Sequence, residues 1–181
     1  MSNKKTLVVN LFSGPGAGKS TMAAELFAKL KWEGIDCELV TEFAKELVWE
    51  QRHDTFRNQI YIFGKQHQMV FRVLGKVDVV VTDSPFILSA VYDEYNRETF
   101  RKLILEEYLK CYNRNFFIYR QKPYNPNGRN QNEEGAKEID ARVLDFLIKW
   151  DLPYELIYGS PNGVKIMFES IVREYYEKKT V

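Results

Sequence analysis

The chain has 181 residues, 45% of them hydrophobic and 28% charged, enough for one globular domain with a sizeable core. Its 26 basic and 25 acidic residues leave a formal charge of +1, which excludes a broad electrostatic footprint for duplex DNA. Two cysteines without partners at metal spacing argue against a disulfide scaffold, and no apolar run reaches membrane-spanning length.

The first predicted element is a strand from Leu7 to Phe12, opening the run LVVNLFSGPGAGKST. It follows a basic lead, MSNKK, but the apolar stretch is short and runs into a glycine-rich turn, so it reads as strand one of a cytoplasmic protein and not as a signal peptide. Strand, flexible loop and helix start, in that order, are the context of a phosphate-binding P-loop. Gly14, Gly16 and Gly18 can turn backbone N–H groups toward an anion, and the new helix adds unpaired N–H groups and the positive end of its dipole. Lys19 is expected to reach the β- and γ-phosphates and the Ser20 hydroxyl to ligate Mg²⁺. The usual pattern is G-x-x-x-x-G-K-S/T, and the slot of its first glycine holds Ser13, so Gly14 is expected to supply the flexibility there.

Met22, Ala23, Leu26, Phe27 and Leu30 then form the apolar face of a helix, with Gly34 in the place of a C-terminal cap. A second strand, 37–41, ends at Glu42, and a helical stretch follows with Phe43, Leu47 and Val48 on one side. A longer helix is expected over about 55–74, with Phe56, Ile60, Phe63, Val70 and Leu74 in the core. Along it Arg57, Asn58, Gln59, Gln66, His67 and Gln68 are candidates for acceptor binding, against the plainer reading of a wet helix face. His53 and His67 lack the companions of a zinc site. The consecutive valines of 77–83 predict a strand covered on both faces, ending in Asp83 before Ser84-Pro85. Helices are expected over about 86–95 and 98–112, strand four at 116–119, strand five at 154–158 and a last helix at roughly 164–178.

Between strands four and five lies the most polar part of the chain, broken by Pro123, Pro126 and Gly128 and followed by a helix through Ile139, Val143, Phe146 and Leu147. Loops of this length are lids, binding loops or disordered stretches, and a lid is expected at about 121–137. The whole, 1–181, reads as a single α/β domain: a three-layer P-loop NTPase fold with a mostly parallel, roughly five-stranded sheet, helices on both faces and a short lid. In such sheets ligands sit beyond the carboxyl ends of the strands, where the P-loop, Glu42 and Asp83 converge.

Phosphoryl transfer needs a phosphate cradle, Mg²⁺, an acid near the metal, cations over the transferring group and a group to orient the nucleophile. Asp83 fits the metal-side acid, against the alternative of an exposed acid capping the following helix. Glu42 fits a carboxylate facing an acceptor hydroxyl, against that of a charge at a helix N-terminus. Arg129, with Arg120 and Lys122, would close over the phosphates, while Asp140 and Arg142 would tie the lid helix down as an exposed pair. Ser160 to Gly163, just beyond strand five, would brush the adenine.

The segments NLFSGPGAGKST, TEFAKE, VVVTDSPF and a lid of the form R-x-K-P…G-R resemble the P-loop kinases related to ribosylnicotinamide kinase and the AAA-like ATPases and kinases encoded by bacteriophages. The resemblance implies that Gly14, Gly16, Ala17, Gly18, Lys19, Ser20 and Thr21 bind ATP and Mg²⁺, that Glu42 and Asp83 serve acceptor and metal, and that Arg129 belongs to the lid. It implies a phosphotransferase moving the γ-phosphate of ATP to a nucleoside- or nucleotide-like acceptor, in a phage setting within the host cytoplasm. Two alternatives accompany it: a kinase acting on a hydroxymethylated pyrimidine of phage DNA, and an ATPase or nucleotide switch without an acceptor.

Overall fold

The computed structural model describes residues 5–121, 125 and 132–179. Five parallel strands, β1 (Leu7–Phe12), β2 (Cys37–Val40), β3 (Val79–Thr82), β4 (Tyr112–Tyr119) and β5 (Glu155–Tyr158), form one sheet in the order β2-β3-β1-β4-β5. The chain fills one side of β1 first and then crosses to the other, so the direction of winding switches at β1, where an open α/β sheet leaves its ligand crevice.

Every residue of β1 is buried, as expected of a central strand covered on both faces. Successive side chains leave it on opposite sides. Leu7, Val9 and Leu11 join Val79, Val81, Phe116 and Ile118 beneath α1 (Lys19–Trp32) and α8 (Pro161–Lys179). Phe12, Val80 and Phe117 face the opposite layer, built from α4 (Gln59–Phe71), α5 (Ile87–Tyr92), α6 (Glu98–Leu109) and α7 (Glu133–Lys149). These are the three layers read from the sequence. Leu26 and Leu30 of α1 are fully buried, each contributing about 2 kcal/mol relative to exposure. Gly34 ends that helix in the left-handed region, at φ 79°, while the Ile35 N–H donates to the Leu30 carbonyl at 3.0 Å.

Three expectations are corrected. The single helix over 55–74 is broken into α3 (His53–Phe56) and α4, because the Asn58 side chain accepts the Tyr61 N–H at 3.2 Å and starts a new helix. The restart shifts the phase: Ile62, Phe63, Gln66 and Val70 are buried, whereas Ile60 and Phe71 are more than half exposed. The Phe56 side chain lies outside what is described. β4 begins at Tyr112, four residues before the apolar run that marks it in the sequence. Its polar start is accommodated by a buried amide network: the Asn10 amide donates to Asn113 at 2.9 Å and Asn115 at 3.1 Å, and Asn115 takes the Tyr108 hydroxyl and donates to the Pro153 carbonyl at 2.8 Å. The last helix starts earlier than expected, at Pro161, with the Ser160 hydroxyl accepting the Gly163 N–H at 3.2 Å.

The expected lid at about 121–137 falls largely outside the described residues, as do Lys122, Pro123, Pro126, Gly128 and Arg129; its end is the N-cap, Asn132, and first turn of α7. Among the described residues no helix is long and apolar enough to cross a membrane.

Two glycines test this packing with opposite signs. A Cβ on Gly163 would run into the Tyr158 carbonyl, whereas one on Gly64, inside α4, would meet nothing within 4 Å. Gly163→Ala is expected to lower the unfolding free energy by about 1–3 kcal/mol through overpacking, and Gly64→Ala to raise it by about 0.5–1 kcal/mol. Urea midpoints of the two variants check both signs.

Candidate functional site

The site grows from the turn between β1 and α1. Gly16 and Gly18 sit at φ 80° and 104°, the left-handed region that favours glycine. Ser13 is fully buried and has no positive φ, so the glycine of the usual pattern is not required at that slot. Gly14 has none either, and its glycine identity has another cause: a Cβ there would strike the Ala136 carbonyl of α7. Its N–H donates to Asp140 Oδ1 at 2.5 Å. The Gly14 N–H, expected to face a phosphate, is held by a carboxylate in this structure.

The start of α1 is bare. Gly18, its N-cap, offers no side-chain acceptor, and its first turn contains no acidic residue. By contrast Asn58 caps α4 and Asn132 caps α7, the latter with Glu133 and Glu134 beside it. An uncapped N-terminus keeps orphan N–H groups and a positive dipole end available to an anion. Ser20 and Thr21 are exposed on this turn, whereas Ala17 is fully buried and serves packing.

Lys19 folds back, its Nζ donating to the Ser13 and Gly14 carbonyls at 2.8 and 2.9 Å. Loss of surrounding water lowers its pKa below the ordinary lysine value; the charges of Glu42, Asp83 and Asp140 oppose that, and Arg120 adds to it. Both sequence-derived carboxylates thus act on the loop lysine. Strand register explains why: Val40, Thr82 and Asn10 align across β2, β3 and β1, so Glu42 and Asp83 leave the same sheet edge as Ser13.

Asp83 is 3% exposed, and its Oδ1 is buried with no hydrogen-bond partner among the described residues. It is not an exposed capping acid. A carboxylate oxygen without a partner, together with the exposed Ser20 hydroxyl at the start of α1, is the type of donor that would suit Mg²⁺, a cation that takes few protein oxygens and keeps the rest of its shell for water and phosphate. Glu42 is the N-cap residue of α2 (Phe43–Trp49), with extended backbone at φ −69° and ψ 111°, but its side chain does not cap that helix.

Asp140 is where the sequence reading missed most. It pairs with Arg120, whose Nε and Nη2 reach Asp140 Oδ2 at 3.2 and 2.9 Å, and Arg120 Nη1 donates to the Pro15 carbonyl at 2.8 Å. The pair is largely buried, so the exposed Asp140–Arg142 tie is corrected; Arg142 donates instead to the Val91 carbonyl of α5. A signal existed: Asp140 interrupts the buried stripe Ala136, Ile139, Val143 and Leu147 of α7. Of the candidates along α4, Asn58 is a cap, His67 pairs with Glu107 at 3.2 Å, and Gln66 is buried against backbone. Arg129 lies outside the described residues.

Beyond β5, Gly159 packs so closely that a Cβ on it would stand 2.7 Å from the Ala17 carbonyl. Gly159 therefore lies against the loop. Tyr119 and Tyr158, both more than half exposed and 5.6 Å apart edge to face, flank it at the ends of β4 and β5.

A bare helix N-terminus behind a glycine turn, with a desolvated lysine and carboxylates from neighbouring strand ends, defines a P-loop nucleotide site. A family model described as an AAA domain matches residues 8–162, from β1 into the first turn of α8, and the chain belongs to that family of P-loop NTPases. No curated protein matches the chain.

If Asp140 anchors α7 to the loop, Asp140→Ala should lower the unfolding free energy by about 1.5–3 kcal/mol, the range for hydrogen bonds to charged groups. An unchanged urea midpoint would refute the anchor.

Proposed function

We propose that the chain is an ATP- and Mg²⁺-dependent phosphotransferase that moves the γ-phosphate to an alcohol or phosphate of a nucleoside- or nucleotide-like acceptor. One observation carries the reading: Glu42 and Asp83 leave the same rim of the sheet and both act on Lys19. The strand order supports giving them separate tasks. β3 lies beside β1, which brings Asp83 next to the phosphate loop; β2 lies one strand further, about 10 Å from β1 at the usual strand spacing. That offset suits a carboxylate serving an acceptor on the far side of the transferring group.

In this reading the loop N–H groups at Gly16 and Gly18 and the first turn of α1, through Thr21, hold the phosphates, and Lys19 exchanges the Ser13 and Gly14 carbonyls for phosphate oxygens. Ser20 and Asp83 would hold Mg²⁺, which when bound neutralises charge on the phosphate oxygens. Glu42 orients the acceptor hydroxyl and accepts its proton as the oxygen attacks. Tyr119 and Tyr158 offer ring edges and faces to the nucleotide base beside the 159–163 segment. Arg129, from the lid, supplies a cation over the transferring group, while Arg120 stays paired with Asp140 behind the loop.

The AAA domain match favours a second reading, hydrolysis of the nucleotide without an acceptor. The likeness to phage-encoded kinases adds hydroxymethylated DNA as a further acceptor class, although a formal charge of +1 gives no broad cationic track for it.

Incubation with γ-labelled ATP and Mg²⁺ against nucleosides, nucleotides and hydroxymethylated DNA separates these readings. Label is expected on a nucleoside or nucleotide; label on the DNA alone, or only as free phosphate, would select an alternative. Lys19→Ala should reduce turnover by about 10²-fold or more. Glu42→Gln should slow transfer by about 10²- to 10⁴-fold while ATP affinity changes little. Retained activity in either variant rejects the role given to that residue.

A further inference from the structure

Gln66 stands 24 residues from Glu42 in sequence, yet its side chain grips the backbone on both sides of that residue. Its Nε2 donates to the Thr41 carbonyl at 3.2 Å, and its Oε1 accepts the Phe43 N–H at 3.0 Å. The amide is 2% exposed, and its two bonds to the half-buried backbone are partly shielded from water. It is held in place from α4, whose Phe63 and Val70 sit in the main core and whose Ile62 packs with Ala44 and Leu47 of α2. The Phe43 and Tyr61 rings meet edge to face at 5.6 Å between the same two helices.

We infer that Gln66 is a positioning residue, the buried amide that fixes the backbone of Glu42 and so aims its carboxylate at the phosphate loop. An N-cap residue ordinarily uses its own side chain on the first N–H groups of its helix. Glu42 makes no such bond, and the first N–H of α2 is satisfied by Gln66 instead. The helix start is thus braced from another helix, and the charge of the carboxylate at the cap position bears on Lys19. With one amide bonded to the peptide groups before and after Glu42, rotation of the strand end about that residue breaks at least one of the two bonds. A direction set in this way matters to rate more than to nucleotide affinity, because small misplacements of a reacting group are costly in the transition state.

The inference rests on the reading of Glu42 as the acceptor-side carboxylate, and a double-mutant cycle separates the two. The readout is loss of γ-phosphate from Mg²⁺·ATP, to whichever acceptor takes label or to water where none does, together with the affinity of a fluorescent ATP analogue. Gln66→Leu is expected to lower kcat by about 10- to 100-fold with analogue affinity within about twofold. In a Glu42→Gln background the same substitution should change kcat by less than about twofold, since its effect runs through the missing carboxylate. An equal loss in both backgrounds, an unchanged rate in Gln66→Leu, or a matching fall in analogue affinity overturns the positioning role. If Glu42→Gln alone leaves the rate unchanged, the Glu42 reading itself fails and this inference with it. Should Gln66→Leu not fold, Gln66→Glu, which keeps the acceptor for the Phe43 N–H and loses donation to Thr41, runs the same cycle with a smaller expected loss.

Discussion

The charge of Lys19 is partly withdrawn from water, and the rest of the site is arranged around that fact. A lysine that loses part of its hydration needs compensation, and it comes from two loop carbonyls at contact distance and three carboxylates further out. The carboxylates come from different layers: Glu42 and Asp83 from strand ends, Asp140 from the helix layer above. The sheet supplies the first two because β2, β3 and β1 run parallel in register, so their carboxyl ends form a single rim. A different strand order would leave the same residues present and the site dispersed.

The third carboxylate links phosphate loop and helix layer. Asp140 accepts from the Gly14 N–H and pairs with Arg120, which in turn bonds the Pro15 carbonyl. Loop, end of β4 and α7 thus form one bonded unit. The arrangement also sorts the loop glycines by cause. Gly16 and Gly18 are glycine for their backbone angles, whereas Gly14 is glycine because α7 leaves no room for a side chain. Ser13 needs neither, which is why the departure from the common pattern is harmless to the turn.

Where local signals were strong, the sequence was a good guide. The β1–loop–α1 unit is legible because an unbroken apolar run, a glycine turn and a 3.6-residue periodicity follow one another without competing signals. β3 is legible for the same reason: its valines admit no other burial. The early start of β4 was not, since Asn113 and Asn115 read as loop residues until Asn10 and Tyr108 are placed beside them. Gln66 read as an acceptor-binding candidate or a wet-face residue, because nothing local tells a solvated amide from one that closes on backbone 23 to 25 residues away.

By itself, then, the sequence determined the class of fold, the phosphate loop, and the two carboxylates at strand ends. Those follow from residue type, spacing and backbone freedom, which are properties of neighbours along the chain. Tertiary structure alone decided which groups answer the charge of Lys19, that Asp140 takes the Gly14 donor, that Arg120 is its partner, and that Gln66 braces Glu42. Each is a pairing between segments far apart in sequence, and burial makes such pairings obligatory: a polar group removed from water must find a partner in whatever element the fold packs against it.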